Sequence, residues 1–294
     1  MDYIKRDTQV FDPLHYIDYP FKQDGDFVAP EPESVNAIMG LTQAANTLIY
    51  KGETSLAWSK GFSLLLMLHV LGDMHQPLHA SSMFSQEKNL LPPLGDMGGN
   101  LYNIVYTSET GMTYTQLHLL YDCVGGLYCD YMPHPVTAAY SDRIATIVDG
   151  IMKEYPQKAL EEEGFDLTPE LPDLKTFTKV VTRWAKEESY QLAVESYGII
   201  DYKSEIDSTK IAWMRAMLRK RIALAGYRTA HILNLIDTTI TGYDETTVVP
   251  SGWRIATISL VMVLAVVLTA LAVLYKRYQA ALHGQSTDYT VLNN

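Results

Sequence analysis

The sequence predicts a mainly α fold: a helical domain with one small β-hairpin, followed by one C-terminal transmembrane helix. Three observations predict it. Apolar residues recur at helical spacing over most of the chain, two His/Asp pairs stand four residues apart, and one apolar run of 21 residues lies near the C-terminus. With 294 residues, 47% hydrophobic and 19% charged, the chain can bury one substantial core, and nothing in it suggests repeats or disorder. Its formal net charge of −11 argues against capture of nucleic acid by a basic surface.

Taken in order, residues 30–50 (PEPESVNAIMGLTQAANTLIY) open with prolines and acids and continue at helical spacing, which predicts a helix from about Glu33. A second helix is expected from near Glu53 through His69 and Asp73, kinking or ending at Pro77. LYNIVY, from Leu101 to Tyr106, alternates and precedes SETG, so a short hairpin should return the chain to His118. Long helices follow at about 136–153, 173–197 and 205–235, with the proline-containing loop LTPELPD from Leu167 between them. Residues 1–243 read as one domain and 244–254 as a juxtamembrane linker.

Residues 255–275 (IATISLVMVLAVVLTALAVLY) carry no charge and have no polar face, and their length matches a bilayer crossing. Trp253 and Arg254 precede the run, and Lys276, Arg277 and Tyr278 follow it. The basic pair places residues 276–294 as a cytoplasmic tail, so the lipid bilayer is a partner and the domain is extracytoplasmic, at the cell surface or in an endomembrane.

Seven residues form a pattern suited to zinc: Asp2, His15, His69, Asp73, His79, His118 and Asp122. Zinc needs imidazole nitrogens and carboxylate oxygens converging on a point. His69 and Asp73, like His118 and Asp122, are four apart, so on a helix each pair projects from one face and can grip one ion. His79 follows Pro77 and is free to swing towards a different metal. A lone helical His/Asp pair is usually a surface ion pair. Two pairs together with HQPLH (residues 75–79) and GGN (98–100) point instead to a metal cluster. Cys123 and Cys129 flank a VGGLY loop directly after Asp122 and read either as a local bridge in an oxidising compartment or as two small thiols. No Ser-His-Asp or Cys-His constellation is evident.

These residues resemble the zinc-dependent single-strand-specific nucleases of fungi and plants, relatives of the zinc phospholipases C. Within that group the chain looks most like the trypanosomatid surface 3′-nucleotidase/nucleases (class I nucleases). The landmarks run from Asp2 to about Asn234: DYIK, HYID, HVLGDMHQPLH, DMGGN, LHLLYD, WAKEES and AGYRTAHILN. WAKEES and AGYRTAHILN resemble structural helices of the family. The resemblance implies a phospholipase C/nuclease-like helical domain with three Zn2+ ions.

By that resemblance Asp2, His15, His69 and Asp73 hold the first ion, Asp73 bridges to a neighbour, and His79, His118 and Asp122 hold another. The third site is incomplete, because the family's N-terminal Trp and a following His have no counterpart in this sequence. The first helix of the family is therefore expected to be missing. No signal peptide follows Met1 either, and a start placed too far downstream explains both. The resemblance also implies catalytic roles for Asp2, which would orient the attacking water, and for Lys5, which would steady charge on the phosphate. Tyr16 would stack on a nucleobase, Asp18 would read its edge, and Asn100 would stand beside the substrate. The implied activity is hydrolysis of 3′-nucleotides and of single-stranded DNA and RNA, leaving 5′-phosphates, in nucleoside salvage. A zinc phospholipase C and a catalytically silent surface protein that keeps the fold are the alternatives. No protein partner can be inferred.

Overall fold

The computed structural model describes residues 11–51, 55–129 and 138–240. The chain divides into a unit of residues 1–240 and a second of residues 241–294, and every described helix and strand belongs to the first. Asp2, Lys5, His134, the linker, the 255–275 segment and the tail with His283 lie outside the described residues. Among the described residues no helix is long and apolar enough to cross a membrane.

The fold is mainly helical. Helix α1 (Ala37–Ala45) starts later than the expected Glu33 because Asn36 is its cap: the backbone there is extended and the side chain accepts from the Met39 N–H at 3.1 Å. It runs into a π-helical turn, Asn46–Tyr50. Helix α2 (Ala57–Asp73) ends at Asp73, short of Pro77, which instead opens a single 3₁₀ turn, Pro77–Ala80. Helices α3 (Leu117–Asp122), α4 (Ala138–Glu154) and α5 (Gln157–Glu162) follow. The helix expected over 173–197 is two segments, α6 (Leu174–Arg183) and α7 (Tyr190–Ile199), separated by a π turn at Trp184–Ser189. The wider turn shifts the face that the later residues present. The last helix, α8, spans Ser208–Ile240.

Two small two-stranded sheets accompany the helices. The expected hairpin is present as β3 (Asn103–Thr107) and β4 (Thr113–Gln116), with an irregularity between Asn103 and Tyr106. Unforeseen was a parallel pair, β1 (Tyr19–Lys22) beside β2 (Ser81–Phe84), with Tyr19 opposite Ser81. Its partners are far apart in sequence, and no local pattern announces such a pairing.

Burial falls into three clusters. The first joins α1, α2, α6 and the end of α8 through Leu41, Met67, Val70, Phe177, Trp184 and Ile232. The second joins the hairpin, α3, α7 and the start of α8 through Leu78, Tyr102, Leu117, Tyr121, Tyr197 and Met214. A third, smaller cluster packs α4 and α5 on the middle of α8 through Ile151, Leu160 and Leu224. Met74 belongs to the first cluster and Leu78 to the second, so the turn between Asp73 and His79 lies on the seam of two cores. The outward side of α2 is apolar, with Trp58, Leu65 and Leu68 exposed and Trp58 stacked on Phe62.

Candidate metal centre

The two helical pairs form as their spacing predicts, and each gains a third member from elsewhere in the chain. His15 ends a 3₁₀ turn, Asp12–His15, and its ring meets the end of α2: Nδ1 stands 3.0 Å from Asp73 Oδ2 and 3.0 Å from His69 Nε2, and His69 Nε2 stands 3.3 Å from Asp73 Oδ2. His79, carried by the Pro77–Ala80 turn, joins the second pair: its Nε2 is 3.7 Å from Asp122 Oδ1, and His118 Nε2 is 3.4 Å from Asp122 Oδ2. His15, His69 and Asp73 thus form one triad, and His79, His118 and Asp122 another. The triads are adjacent, since Asp73 Oδ1 lies 4.0 Å from His79 Nδ1.

This geometry fits a metal. Donor atoms about 2.05 Å from a tetrahedral zinc lie about 3.3 Å from one another, which is close to the separations in both triads. Ring orientation fits as well. His79 Nδ1 donates to the His15 carbonyl at 2.8 Å and His118 Nδ1 to the Gly98 carbonyl at 2.6 Å. A carbonyl only accepts, so each Nδ1 carries a proton and each Nε2 is the ring atom left to ligate a metal, the arrangement of ligating histidines. His15 differs: its Nδ1 faces the triad, and its Nε2 is buried without a hydrogen-bond partner among the described residues.

The parallel pair explains why His15 and His79 meet. The Ile17 N–H donates to the His79 carbonyl at 2.8 Å, two residues before the β1–β2 ladder begins at Tyr19 and Ser81. The DMGGN loop closes the other side. Gly98 and Gly99 have φ of +61° and +84°, and a Cβ at Gly98 would come within 2.6 Å of the Leu78 carbonyl oxygen, so the close approach to the His79 turn needs glycine. A disulfide joins Cys123 to Cys129 directly after Asp122.

Charge follows from this packing. Burial works against a charge on His79, yet the hydrogen bond to Asp122 and the neighbouring Asp73 outweigh it and raise its pKa. Burial would raise Asp122, but His79 and the charge of His118 hold it below the usual carboxylate range. Asp18 is pushed up to about 6 by burial and by Asp96, against a lowering influence of His79, which places it within electrostatic reach of the second triad. Tyr16 is exposed at 37%. Asn100 Nδ2 is turned to the Met97 carbonyl at 2.9 Å. His231 donates to or accepts from no triad member among the described residues and instead meets the Pro169 carbonyl at 2.9 Å.

Asp96 was legible only as part of a motif, and its burial was not. Its Oδ1 accepts from the Met83 N–H at 2.8 Å and its Oδ2 from the Tyr197 hydroxyl at 2.6 Å, and burial pushes its pKa up to about 6 despite these bonds. Between pH 4 and 6 the folded chain therefore holds a proton here that the unfolded chain releases, so this group's contribution to stability falls as pH rises through that window. Asp96→Asn keeps an acceptor for Met83 and removes the charge. Its stability relative to wild type should rise from pH 4 to pH 7.5 by roughly 2 kcal/mol, read from urea denaturation at both pH values. A difference that stays flat across the range would refute the assignment.

A cleft of about 310 Å³ opens beside both triads, bounded by Asp73, Gln76 and Asp122 on one side and by Leu218, Ile222 and Ala225 of α8 on the other.

Frame and triads together define a helical protein built around a candidate multi-metal centre. The chain belongs to the S1/P1 Nuclease family, whose profile matches residues 1–238. It is similar to "Nuclease S1" of Aspergillus oryzae, with 26% identity over 208 residues, which is 69% of this chain and 62% of that protein. The chain thus spans less than two thirds of that relative's length. The family resemblance read from the motifs is borne out.

Proposed function

We propose that this chain is a zinc-dependent phosphoester hydrolase that cuts single-stranded nucleic acid and removes phosphate from 3′-nucleotides. The observation that carries the reading is the convergence of two His/His/Asp triads in a member of the S1/P1 Nuclease family. Similarity to a protein named Nuclease S1 supports the nucleic-acid substrate.

His15, His69 and Asp73 would hold one ion, with Asp2 completing the set, and His79, His118 and Asp122 would hold another. Bound zinc would supply Lewis-acid chemistry, activating water and offsetting charge on the phosphoryl and leaving oxygens. The chain's own residues orient that chemistry. Gly98 and His15 carbonyls fix two imidazole rings, and the seam between two cores keeps the Asp73–His79 turn in place. Tyr16, exposed next to His15, suits stacking against a base, which tolerates different bases. Asp18 offers an acceptor or a donor near neutral pH for a base edge. Lys5 would steady charge on the phosphate. The uncharged 255–275 segment supports anchorage in a bilayer with the hydrolase outside, a placement suited to nucleoside salvage.

The test is direct. Zinc-loaded chain should hydrolyse 3′-AMP far faster than 5′-AMP and degrade single-stranded DNA in preference to duplex, and both activities should vanish with chelator and return with zinc. Equal rates on the two monophosphates would mark a general phosphatase instead.

A further inference from the structure

One polar side chain in the turn between Asp73 and His79 reaches from that turn to the second triad. Gln76 Nε2 donates to Asp122 Oδ1 at 3.0 Å, and Gln76 Oε1 accepts from the Leu78 N–H at 2.5 Å, capping the 3₁₀ turn that presents His79. Both ends of one planar amide are engaged, so Asp122 and the His79 turn are tied to each other. The turn itself is fixed from behind, because Ser189 Oγ donates to the Met74 carbonyl at 2.6 Å and Arg221 Nε to the His75 carbonyl at 3.0 Å. Gln76 therefore projects from a rigid base.

Asp122 needs such a hold. Its side chain is 43% exposed at the end of the short helix α3, where a free carboxylate would sample several rotamers. Gln76 engages Oδ1, which also lies 3.7 Å from His79 Nε2, and leaves Oδ2, 3.4 Å from His118 Nε2, without a donor from Gln76 and directed into the triad. An amide suits both contacts, because its donor meets the carboxylate while its acceptor meets the backbone N–H. An apolar side chain of the same size would leave both partners unmatched.

We propose that Gln76 is a positioning residue for the second triad: it restrains Asp122 by one oxygen, so that the other is offered to a metal ion, and it couples that carboxylate to the turn that carries His79. The proposal rests on the reading of the triads as zinc sites. Polar groups that orient ligands in this way are typically worth about 10–100-fold in metal affinity.

The experiment uses the full chain, purified in mild detergent, as wild type, Gln76→Met, Gln76→Ala, His118→Ala and the Gln76→Met/His118→Ala double variant. Zinc affinity is read by competition with a chromophoric chelator, and thermal unfolding is followed without zinc. Both Gln76 variants should weaken one zinc by about 10–100-fold, leave another unchanged and unfold without zinc near the wild-type temperature. In the double variant Gln76→Met should add nothing to the loss caused by His118→Ala, since both act on one site. Unchanged zinc affinity in both Gln76 variants would overturn the proposal alone. Equal weakening of every zinc, or loss of cooperative unfolding in the zinc-free variants, would also overturn it, because the role would then lie in the fold. A wild-type chain that binds no zinc would overturn the reading of the triads and this proposal with it.

Discussion

If the chain is the hydrolase proposed above, Asp73→Asn should turn over 3′-AMP at least about a thousandfold more slowly than the wild-type chain. Its carboxylate is the group shared most widely in the centre: Oδ2 faces His15 and His69 at 3.0 and 3.3 Å, and Oδ1 faces His79 Nδ1 at 4.0 Å. An amide keeps the shape but carries no charge and presents one oxygen in place of two. A metal held there would lose its anionic ligand, and metal stabilisation of a phosphoryl transition state is worth several kcal/mol, of which about 4 corresponds to a thousandfold. Elemental analysis should show less zinc per chain than in wild type. An Asn variant with full zinc and a rate within tenfold of wild type would remove Asp73 from the centre.

Glu188→Ala should cost about 3–5 kcal/mol of stability, the typical result of removing one partner from a buried ion network. Glu188 Oε2 accepts from Arg221 at 2.6 Å and from Arg228 at 2.8 Å, and Oε1 accepts from Arg228 at 2.7 Å. Both arginines are buried. Burial alone would raise Glu188, but the Arg228 hydrogen bond and the charges of Arg221 and Arg228 hold its pKa below the usual range. Because the folded pKa is depressed, this contribution is full above the ordinary carboxylate pKa and is lost as pH falls through the folded value.

The same network explains His75, whose Nδ1 donates to the Leu71 carbonyl at 2.7 Å while Nε2 accepts from Arg228 at 2.9 Å. Burial and the two arginines keep it neutral, so it is a packing histidine and stands outside both triads. Denaturant unfolding of Glu188→Ala measures the loss. A change under about 1 kcal/mol would mean that water reaches the arginines and the network is not buried in solution.

Local geometry is what the sequence by itself determined. The helical pairs His69/Asp73 and His118/Asp122, the hairpin after Leu101 and the turn at Pro77 all follow from spacings within a few residues, because helix period and turn chemistry are set by neighbours along the chain, while the family was read from a resemblance of motifs along the whole domain. Spacing left open which third residue joins each pair; the family resemblance implied the grouping, and only the tertiary structure supplies the physical reason for it. His15 reaches Asp73 across 58 positions, and His79 goes to His118 and Asp122, through a parallel β1–β2 pairing that no periodicity encodes. Asp96 and Glu188 show the same limit: as letters they are ordinary acids. Only long-range packing against Tyr197, Arg221 and Arg228 removes them from water, gives each its partners and sets its charge.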